Sequence, residues 1–230
     1  LGRMLDTVAT LRKELNIEFE FINVGGGIGI PYKPHEKCVG VEELALRMRT
    51  VWDQKLKEHD MPEPHLHMEN GRYMTGPFGW LVTRCHAIKR SYATYYGLDA
   101  CMSNLMRPGM YGSYHHITIP AKDKFAKNET VNANTNNKLC DLEYANIVGT
   151  LCENNDWFAK QRLTAKAEIG DLFVIHDTGA HCHSMGFQYN GKLRAPELLL
   201  NTNGETIELI REREEIECLF SNCIYTPAKK

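Results

Sequence analysis

The sequence predicts a mixed fold, with an α/β segment at the front of the chain and a mainly antiparallel β domain behind it. Up to about residue 70, helix patterns alternate with strand-like runs. Beyond that point, short runs rich in β-branched and aromatic residues are separated by turn residues. The pair Asn203-Gly204 between two apolar runs is a strong hairpin signal. We therefore expect a boundary near residues 70–80.

The front segment is predicted from its hydrophobic spacing. An amphipathic helix over residues 3–15 precedes a strand at Ile17–Val24, which runs into the glycine-rich Gly25–Gly29. A second amphipathic helix, Val41–His59, precedes a short apolar run at His65–Glu69 that suits a buried strand. This alternation is typical of a parallel sheet or barrel. A complete eight-stranded barrel needs about 250 residues, so the segment would supply only the last two strand–helix units of one.

The second half is predicted to be built from short strands joined by turns. The strand-like runs include Trp80–Ile88, Tyr92–Tyr96, Tyr114–Ile119, Asp171–His176, Leu198–Thr202 and Thr206–Ile210. The polar segment Lys122–Lys138 is predicted to be an exposed loop.

Composition excludes several classes of protein. The 230 residues carry 27 Lys and Arg against 29 Asp and Glu, a net charge of −2 that gives no electrostatic case for nucleic acid or acidic membranes. The sequence contains no apolar stretch of about 18 residues, so it predicts no membrane span. No signal peptide is visible, so we expect a cytoplasmic protein with reduced cysteines. The histidines and cysteines lack zinc spacing, and no metal site is expected. Because the chain begins at Leu1, we expect it to be the C-terminal part of something longer.

Several polar motifs could carry chemistry, and each has a plainer interpretation. The glycine run Gly25–Gly29 could hold a phosphate on its amides, or could be a tight turn. Glu69–Arg72 could face a ligand or form a surface ion pair, and Arg107–Tyr111 could bind a carboxylate or pack a loop. Cys152–Asp156 contains either a reactive thiol or a structural one. His176–His181 could face a ligand or simply turn.

The order of these motifs resembles the amino-acid decarboxylases that use pyridoxal phosphate (PLP) and share the alanine-racemase fold, in particular their diaminopimelate branch. The matching segments are GGGIGIPY at 25–32, ENGRYMTGP at 69–77, RPGMYGSYH at 107–115, LCENND at 151–156 and GDLFVIHDTGAHCHSMGFQYNGKLR at 170–194. The resemblance covers nearly the whole chain. It implies that residues 1–75 belong to the PLP-binding barrel and that residues 76–230 form a C-terminal β-barrel or sandwich domain.

The resemblance also implies which residues contact the cofactor. The implied positions are Gly25, Gly26, Gly27, Glu69, Gly71, Arg72 and His181. The glycines match the loop whose amides hold the PLP phosphate, and Glu69 matches the carboxylate that pairs with the pyridine nitrogen. His181 stands where the family commonly has a tyrosine that touches the phosphate.

Substrate contacts are implied at Arg72, Arg107, Tyr111 and Glu153. The first three match groups that hold substrate carboxylates, and Glu153 matches an acid that recognises the far amino group. Cys152 matches a thiol near the reacting carbon, a candidate proton donor. In the family, this thiol and the adjacent acid reach into the active site of the other subunit, which implies a homodimer with shared active sites.

The implied reaction removes CO2 from meso-diaminopimelate, a small amino acid, to give L-lysine. The alternative is a related enzyme that acts on ornithine, lysine or carboxynorspermidine. A third hypothesis is a truncated paralogue that regulates a complete decarboxylase. Asn70 replaces the proline usual in the family. The lysine that binds PLP in the family lies upstream and has no match here, so this chain by itself is expected to be inactive.

Overall fold

The computed structural model describes residues 1–123 and 141–224. These residues fall into two compact units, Leu1–Phe78 (unit 1) and Gly79–Lys230 (unit 2). Most of the predicted polar loop at Lys122–Lys138 lies outside the described residues.

Unit 1 has the predicted alternation of helices and strands. Its elements are α1 (Gly2–Leu15), β1 (Phe21–Asn23), α2 (Val41–Glu58), β2 (His65–His67) and α3 (Gly71–Thr75). The two strands pair in parallel, with Phe21 opposite His65 and Asn23 opposite His67. Parallel neighbours need a crossover connection, which α2 supplies.

The core of unit 1 forms where the apolar stripes of α1 and α2 meet β1. Leu5 and Val8 are one turn apart on α1, Trp52 and Leu56 are one turn apart on α2, and Ile22 joins them from β1.

The expectation that His65–Glu69 is a buried strand was wrong. His65, Leu66 and His67 are exposed, with Leu66 at 41%. Within the described residues β2 hydrogen-bonds only to β1, so it stands at the edge of a two-stranded sheet and little covers it.

Unit 2 is β-rich, as predicted. Its elements are β3 (Leu81–Arg90), β4 (Thr94–Leu98), α4 (Arg107–Tyr111), β5 (Ile117–Thr118), α5 (Pro120–Asp123), β6 (Leu142–Val148), β7 (Trp157–Ala165), β8 (Leu172–Ile175), β9 (Glu197–Leu200) and β10 (Ile207–Arg211). Six strands form one sheet in the order β5-β8-β3-β4-β6-β7. All neighbours in it are antiparallel except β4 and β6.

The core of unit 2 lies on one face of this sheet. Its fully buried side chains include Tyr96, Leu98, Leu105, Ile119, Ile147, Phe158, Phe173 and Ile175. Tyr96 brings its hydroxyl into this core, where it donates to Glu143 and accepts the Ala167 amide at 3.0 Å. Burial and the Glu143 carboxylate together raise the pKa of Tyr96 to about 12.

Strands β9 and β10 form a separate antiparallel hairpin, with Leu198 opposite Leu209 and Leu200 opposite Ile207. The predicted turn lies between them, where Gly204 has a φ of 71°. The apolar side chains of this hairpin are exposed, among them Leu198 at 60% and Ile207 at 64%.

Candidate active site

The first group of candidate residues is brought together by strand pairing in unit 1. The Val24 amide donates to the His67 carbonyl at 3.0 Å, and the Glu69 amide donates to the Gly25 carbonyl at 2.8 Å. Pairing of the chain therefore continues past the ends of β1 and β2. The consequence is that the glycine run and Glu69, far apart in sequence, lie side by side.

The glycine run adopts a backbone that other residues would resist. Gly25 and Gly27 have φ values of 72° and 103°, in the region that favours glycine. A Cβ at Gly26 would overlap the Glu69 carbonyl oxygen. Gly26 and Gly27 are exposed, and consecutive amides at the surface of such a loop suit an anion.

Asn23, the last residue of β1, links the glycine run to Glu69. Its Oδ1 accepts the Gly25 amide at 2.8 Å, and its Nδ2 donates to Glu69 Oε1 at 2.7 Å. One side chain thus orients both a loop suited to a phosphate and a carboxylate suited to a protonated ring nitrogen. Asn23 could not be identified from the sequence, because its relation to Glu69 depends on strand register.

Gly71 and Arg72 open α3, directly after Asn70. A Cβ at Gly76 would lie 3.3 Å from Arg72 Cγ, so the arginine stem passes close to that glycine. Arg72 Nε is buried and has no hydrogen-bond partner among the described residues. A buried guanidinium nitrogen without a partner favours binding of an anionic group.

These groups fit PLP. The cofactor needs amides for a phosphate and a carboxylate for its ring nitrogen, and the glycine run and Glu69 are of that kind. The partnerless Nε of Arg72 is consistent with a further anion nearby.

A second group of candidate residues lies in unit 2, where α4 packs on the loop between β6 and β7. Arg107 is buried at the start of α4, and Tyr111 is exposed at its end. A Cβ at Gly109 would overlap the Asn155 carbonyl oxygen. This close backbone approach brings the helix of Arg107 and Tyr111 against the loop that contains Cys152.

Asp156 anchors that loop through two hydrogen bonds to its carboxylate. Its buried carboxylate accepts the Met102 amide at Oδ1 and the Leu151 amide at Oδ2, each at 2.6 Å. A Cβ at Gly149 would overlap this carboxylate, so the glycine gives it room. Burial raises the pKa of Asp156, and the two amides oppose that rise.

Cys152 is exposed and Glu153 is half-buried on this loop. Glu153 Oε1 accepts the Asn155 amide at 3.1 Å, and its Oε2 accepts the Tyr189 hydroxyl at 3.3 Å. Asn190 Nδ2 donates to Cys152 Sγ at 3.4 Å. No role for Tyr189 or Asn190 could be predicted from the sequence. The Asn-Gly pair there indicates a turn, but no spacing rule links it to Cys152.

His181 lies in the turn that follows β8, half-buried and with a φ of 60°. The next residue, Cys182, donates from Sγ to the Asn104 carbonyl at 3.1 Å. Burial raises the pKa of Cys182 to about 12, so it remains a thiol at neutral pH. The phosphate contact expected of His181 stays a prediction.

Apart from His181, the sequence-predicted residues therefore fall into two local groups. Unit 1 brings Gly25, Gly26 and Gly27 beside Glu69, with Gly71 and Arg72 following in the chain. Unit 2 brings the helix of Arg107 and Tyr111 against the loop of Cys152 and Glu153. Within the described residues, no helix has the length and apolar character needed to cross a membrane.

Comparison with known families gives one family match. Residues 38–179 match the family described as "Pyridoxal-dependent decarboxylase, C-terminal sheet domain". Among curated proteins, the chain is 42% identical over 209 residues to Protein TabA of Pseudomonas amygdali pv. tabaci, covering 91% of this chain and 46% of that protein. It is 34% identical over 217 residues to diaminopimelate decarboxylase of Methanothermobacter thermautotrophicus, covering 94% and 47%.

Solved structures agree with these sequence matches. Diaminopimelate decarboxylase of Methanocaldococcus jannaschii in complex with L-lysine superposes with a TM-score of 0.81 and 33% identity, covering 98% of this chain and 48% of that one. The chain thus spans about half the length of the relatives it matches. The likeness extends over both units, and with it the predicted combination of α/β and β folds is confirmed.

Proposed function

Because the chain belongs to the pyridoxal-dependent decarboxylases, we propose that it forms the C-terminal half of an enzyme that removes CO2 from meso-diaminopimelate to give L-lysine. Residues 1–75 would contribute to its PLP-binding barrel, and residues 76–230 would form its C-terminal β domain. The PLP-binding lysine would come from chain upstream of Leu1.

The observation that carries this proposal is the packing of α4 on the Cys152–Asp156 loop through Gly109 and Asn155. It sets an arginine and a tyrosine close in the fold to an acid and a thiol. A guanidinium and a phenol suit a carboxylate, while a carboxylate suits an ammonium group. A substrate with an amino group and a carboxylate at its far end, as in meso-diaminopimelate, matches this combination.

The residues of unit 1 would hold the cofactor. The amides of Gly25, Gly26 and Gly27 would bind the phosphate, and Glu69 would pair with the ring nitrogen. PLP, when bound, supplies a ring that accepts the electron pair released as CO2 departs. Glu69 favours this because a carboxylate beside the nitrogen keeps that nitrogen protonated. Gly71 and Arg72 lie just beyond, where Arg72 would also hold a substrate carboxylate, and His181 is proposed as a further phosphate contact.

Residues of unit 2 would act on the substrate. Arg107 and Tyr111 would bind its distal carboxylate, and Glu153 would bind its distal ammonium. Cys152 would then give its Sγ proton to the carbon that has lost CO2. The chemistry therefore divides between groups that orient the substrate and one group that moves a proton.

Two properties of the whole enzyme are also proposed. Cys152 and Glu153 would serve the active site of a second subunit, which makes the enzyme a homodimer with shared sites. We propose a cytoplasmic location, as the sequence predicts.

The test begins upstream of the Leu1 codon. Sequencing the transcript there should reveal a continuous frame with a lysine for PLP, and a stop codon just upstream would favour a truncated regulatory paralogue instead. The full-length protein is then purified with PLP and CO2 release is measured on meso-diaminopimelate, ornithine, lysine and carboxynorspermidine. We expect kcat/KM to be highest for meso-diaminopimelate and the variant Glu153→Gln to lower it by about 10- to 100-fold, the worth of a charged hydrogen bond.

A related diamino acid is the second candidate substrate. The identity to Protein TabA, at 42%, exceeds the 34% identity to the Methanothermobacter decarboxylase, and the name of TabA specifies no substrate. Turnover of ornithine, lysine or carboxynorspermidine but not of meso-diaminopimelate would replace our choice of substrate and retain the decarboxylase.

A further inference from the structure

A loop outside the proposed machinery, Gly186–Arg194, meets both Cys152 and Glu153. Within this loop, the Tyr189 hydroxyl donates to Glu153 and the Asn190 side-chain amide donates to Cys152. We propose that Tyr189 and Asn190 are positioning residues, Asn190 for the thiol that donates the proton and Tyr189 for the carboxylate that selects the substrate. The inference deepens the proposed function and rests on it for the roles of Cys152 and Glu153.

The backbone at Asn190 explains which side chains this position admits. Asn190 has a φ of 50° and Gly191 a φ of 71°, so two consecutive residues are left-handed. Glycine adopts this conformation most readily, and asparagine is among the few other residues that do. Unlike glycine, asparagine brings an NH2 group. The nitrogen of that group donates the hydrogen bond to the sulfur of Cys152.

Hydrogen bonds fix the loop at both ends, and this restricts the positions that Tyr189 and Asn190 can take. Arg194 Nη2 donates to the Gly186 carbonyl at 2.7 Å and closes the loop at its base. The Arg194 amide donates to Glu214 Oε2 at 2.8 Å, and this bond lowers the pKa of Glu214. At the other end, the Phe187 amide donates to the Ser103 carbonyl at 3.2 Å. Such anchoring reduces the conformational freedom of the residues between.

The Asn190 contact suits the chemistry of a proton donor. When the proton leaves Sγ for carbon, the S–H bond breaks, a C–H bond forms and a thiolate remains. An N–H group directed at sulfur stabilises the thiolate more than the thiol, since hydrogen bonding to a charged form favours that form. Asn190 thereby orients the thiol before the proton is transferred and stabilises the thiolate that the transfer leaves behind.

The Tyr189 contact suits the recognition of a cation. Its phenol can donate to Glu153 only while it is protonated, and the neighbouring charge of Glu153 raises the pKa of Tyr189. The phenol therefore remains a donor at neutral pH. A carboxylate held by this bond and by the Asn155 amide is oriented before the substrate arrives, which lowers the entropic cost of binding.

The first test measures the thiol itself and needs neither PLP nor substrate. The full-length enzyme is treated with iodoacetamide at about pH 7.5, and alkylation of each cysteine-containing peptide is followed by mass spectrometry. We expect Asn190→Gly, which tolerates the left-handed backbone, to slow alkylation of Cys152 by about 5-fold, the size of one hydrogen bond. Asn190→Asp, which sets a carboxylate against the thiolate, should slow it further. Exposed Cys218 is the internal reference.

The matched control is Asn16→Gly, because Asn16 is also left-handed, with a φ of 51°, and caps α1. It should leave Cys152 alkylation unchanged. If Asn190→Gly reacts as fast as wild type, or faster because the thiol is merely uncovered, the role of Asn190 is refuted.

The second test separates kcat from KM in the same full-length enzyme. Tyr189→Phe should raise KM for meso-diaminopimelate by about 5- to 10-fold with little change in kcat, while Asn190→Gly should lower kcat and spare KM. Tyr144→Phe, at an exposed tyrosine of β6, is the control. Equal losses in both parameters for Tyr189→Phe would indicate a structural role and overturn its assignment. An enzyme inactive on meso-diaminopimelate whose Asn190 variants still slow alkylation would refute the substrate and keep the thiol contact.

Discussion

At the scale of single residues, Asp156 stabilises the loop on which the proposed proton donor lies. One of its oxygens accepts the Met102 amide and the other accepts the Leu151 amide. Burial favours the neutral carboxylic acid while the amides favour the carboxylate, and burial has the larger effect on the pKa. Stability that depends on Asp156 is therefore coupled to pH.

We predict that Asp156→Asn lowers the free energy of unfolding by about 1–3 kcal/mol, because the NH2 group of the variant cannot accept a hydrogen bond, whereas the second oxygen of Asp156 can, and one buried N–H is left without a partner. The folded-state pKa of Asp156 lies above its ordinary value of 3.8, so the wild-type contribution is complete below that value and declines as pH rises through the raised pKa. The deficit of the variant should thus shrink with rising pH. Urea unfolding of the full-length protein from about pH 4 to pH 7 measures it.

Asp141→Asn is the control for this series, since the Asp141 side chain is exposed. Its difference from wild type should be small at every pH. A deficit of Asp156→Asn that grows as pH rises would contradict the assigned direction of the pKa.

At the scale of elements, helix α4 depends on Gly109. The backbone conformation at this position does not require glycine, but the space around it does. Alanine at Gly109 would ordinarily favour a helix by about 1 kcal/mol. Here a Cβ would overlap the Asn155 carbonyl oxygen, which is backbone and cannot rotate away. The contact between α4 and the Cys152 loop therefore requires the smallest residue.

We predict that Gly109→Ala lowers the free energy of unfolding by about 1–3 kcal/mol and raises KM for the substrate, because α4 must move away from the loop. Thermal unfolding and steady-state kinetics of the full-length enzyme measure both effects. Gly40→Ala is the matched control, as its φ is −70° and its nearest neighbour would be Glu43 Cβ at 3.8 Å. A Gly109→Ala enzyme that behaves like this control would show that α4 and the loop are not tightly packed.

Elements with a regular period were predictable, and those with interruptions were not. Helices α1 and α2 and the β9–β10 hairpin follow from hydrophobic spacing and the Asn-Gly turn. The long pair β6–β7 was not predicted. Ala145, Asn146 and Ile147 are buried in succession, and register shifts at Ala145/Ile147 and Ile147/Val148 break the alternation that identifies a strand. Helix α4, with five residues, is too short to show a period.

The candidate site was predictable only in part, for a related reason. The residues matched by family resemblance could be named from sequence order. Asn23, Tyr189 and Asn190 could not, because each meets its partner across a distance in sequence that no local pattern encodes. Asn190 is 38 residues from Cys152, and Asn23 is 46 from Glu69.

At the scale of the whole molecule, the proposed homodimer makes a quantitative prediction. If Cys152 from one subunit completes a site built on Glu69 of the other, the variants Glu69→Gln and Cys152→Ala should each be nearly inactive when pure. Their co-expressed mixture should recover about one quarter of wild-type activity, since half of the randomly assembled dimers contain one intact site of two. The activity of the unseparated mixture is measured first; mixed dimers purified by two affinity tags, in which one site of two is intact, should then show about one half of wild-type activity. No recovery would mean that each chain supplies its own thiol.

The β9–β10 hairpin has a practical consequence for anyone who expresses this polypeptide by itself. Successive residues of a strand face opposite sides of the sheet. The exposed Leu198, Leu199 and Leu200 therefore make both faces of the hairpin hydrophobic. Among the described residues each of its two strands hydrogen-bonds only to the other, so each leaves a backbone edge to which a further strand can add. A recombinant sample would tend to precipitate as stacked β-structure on concentration. A solubilising fusion, or charged residues in place of Leu198 and Ile207, would keep it monodisperse.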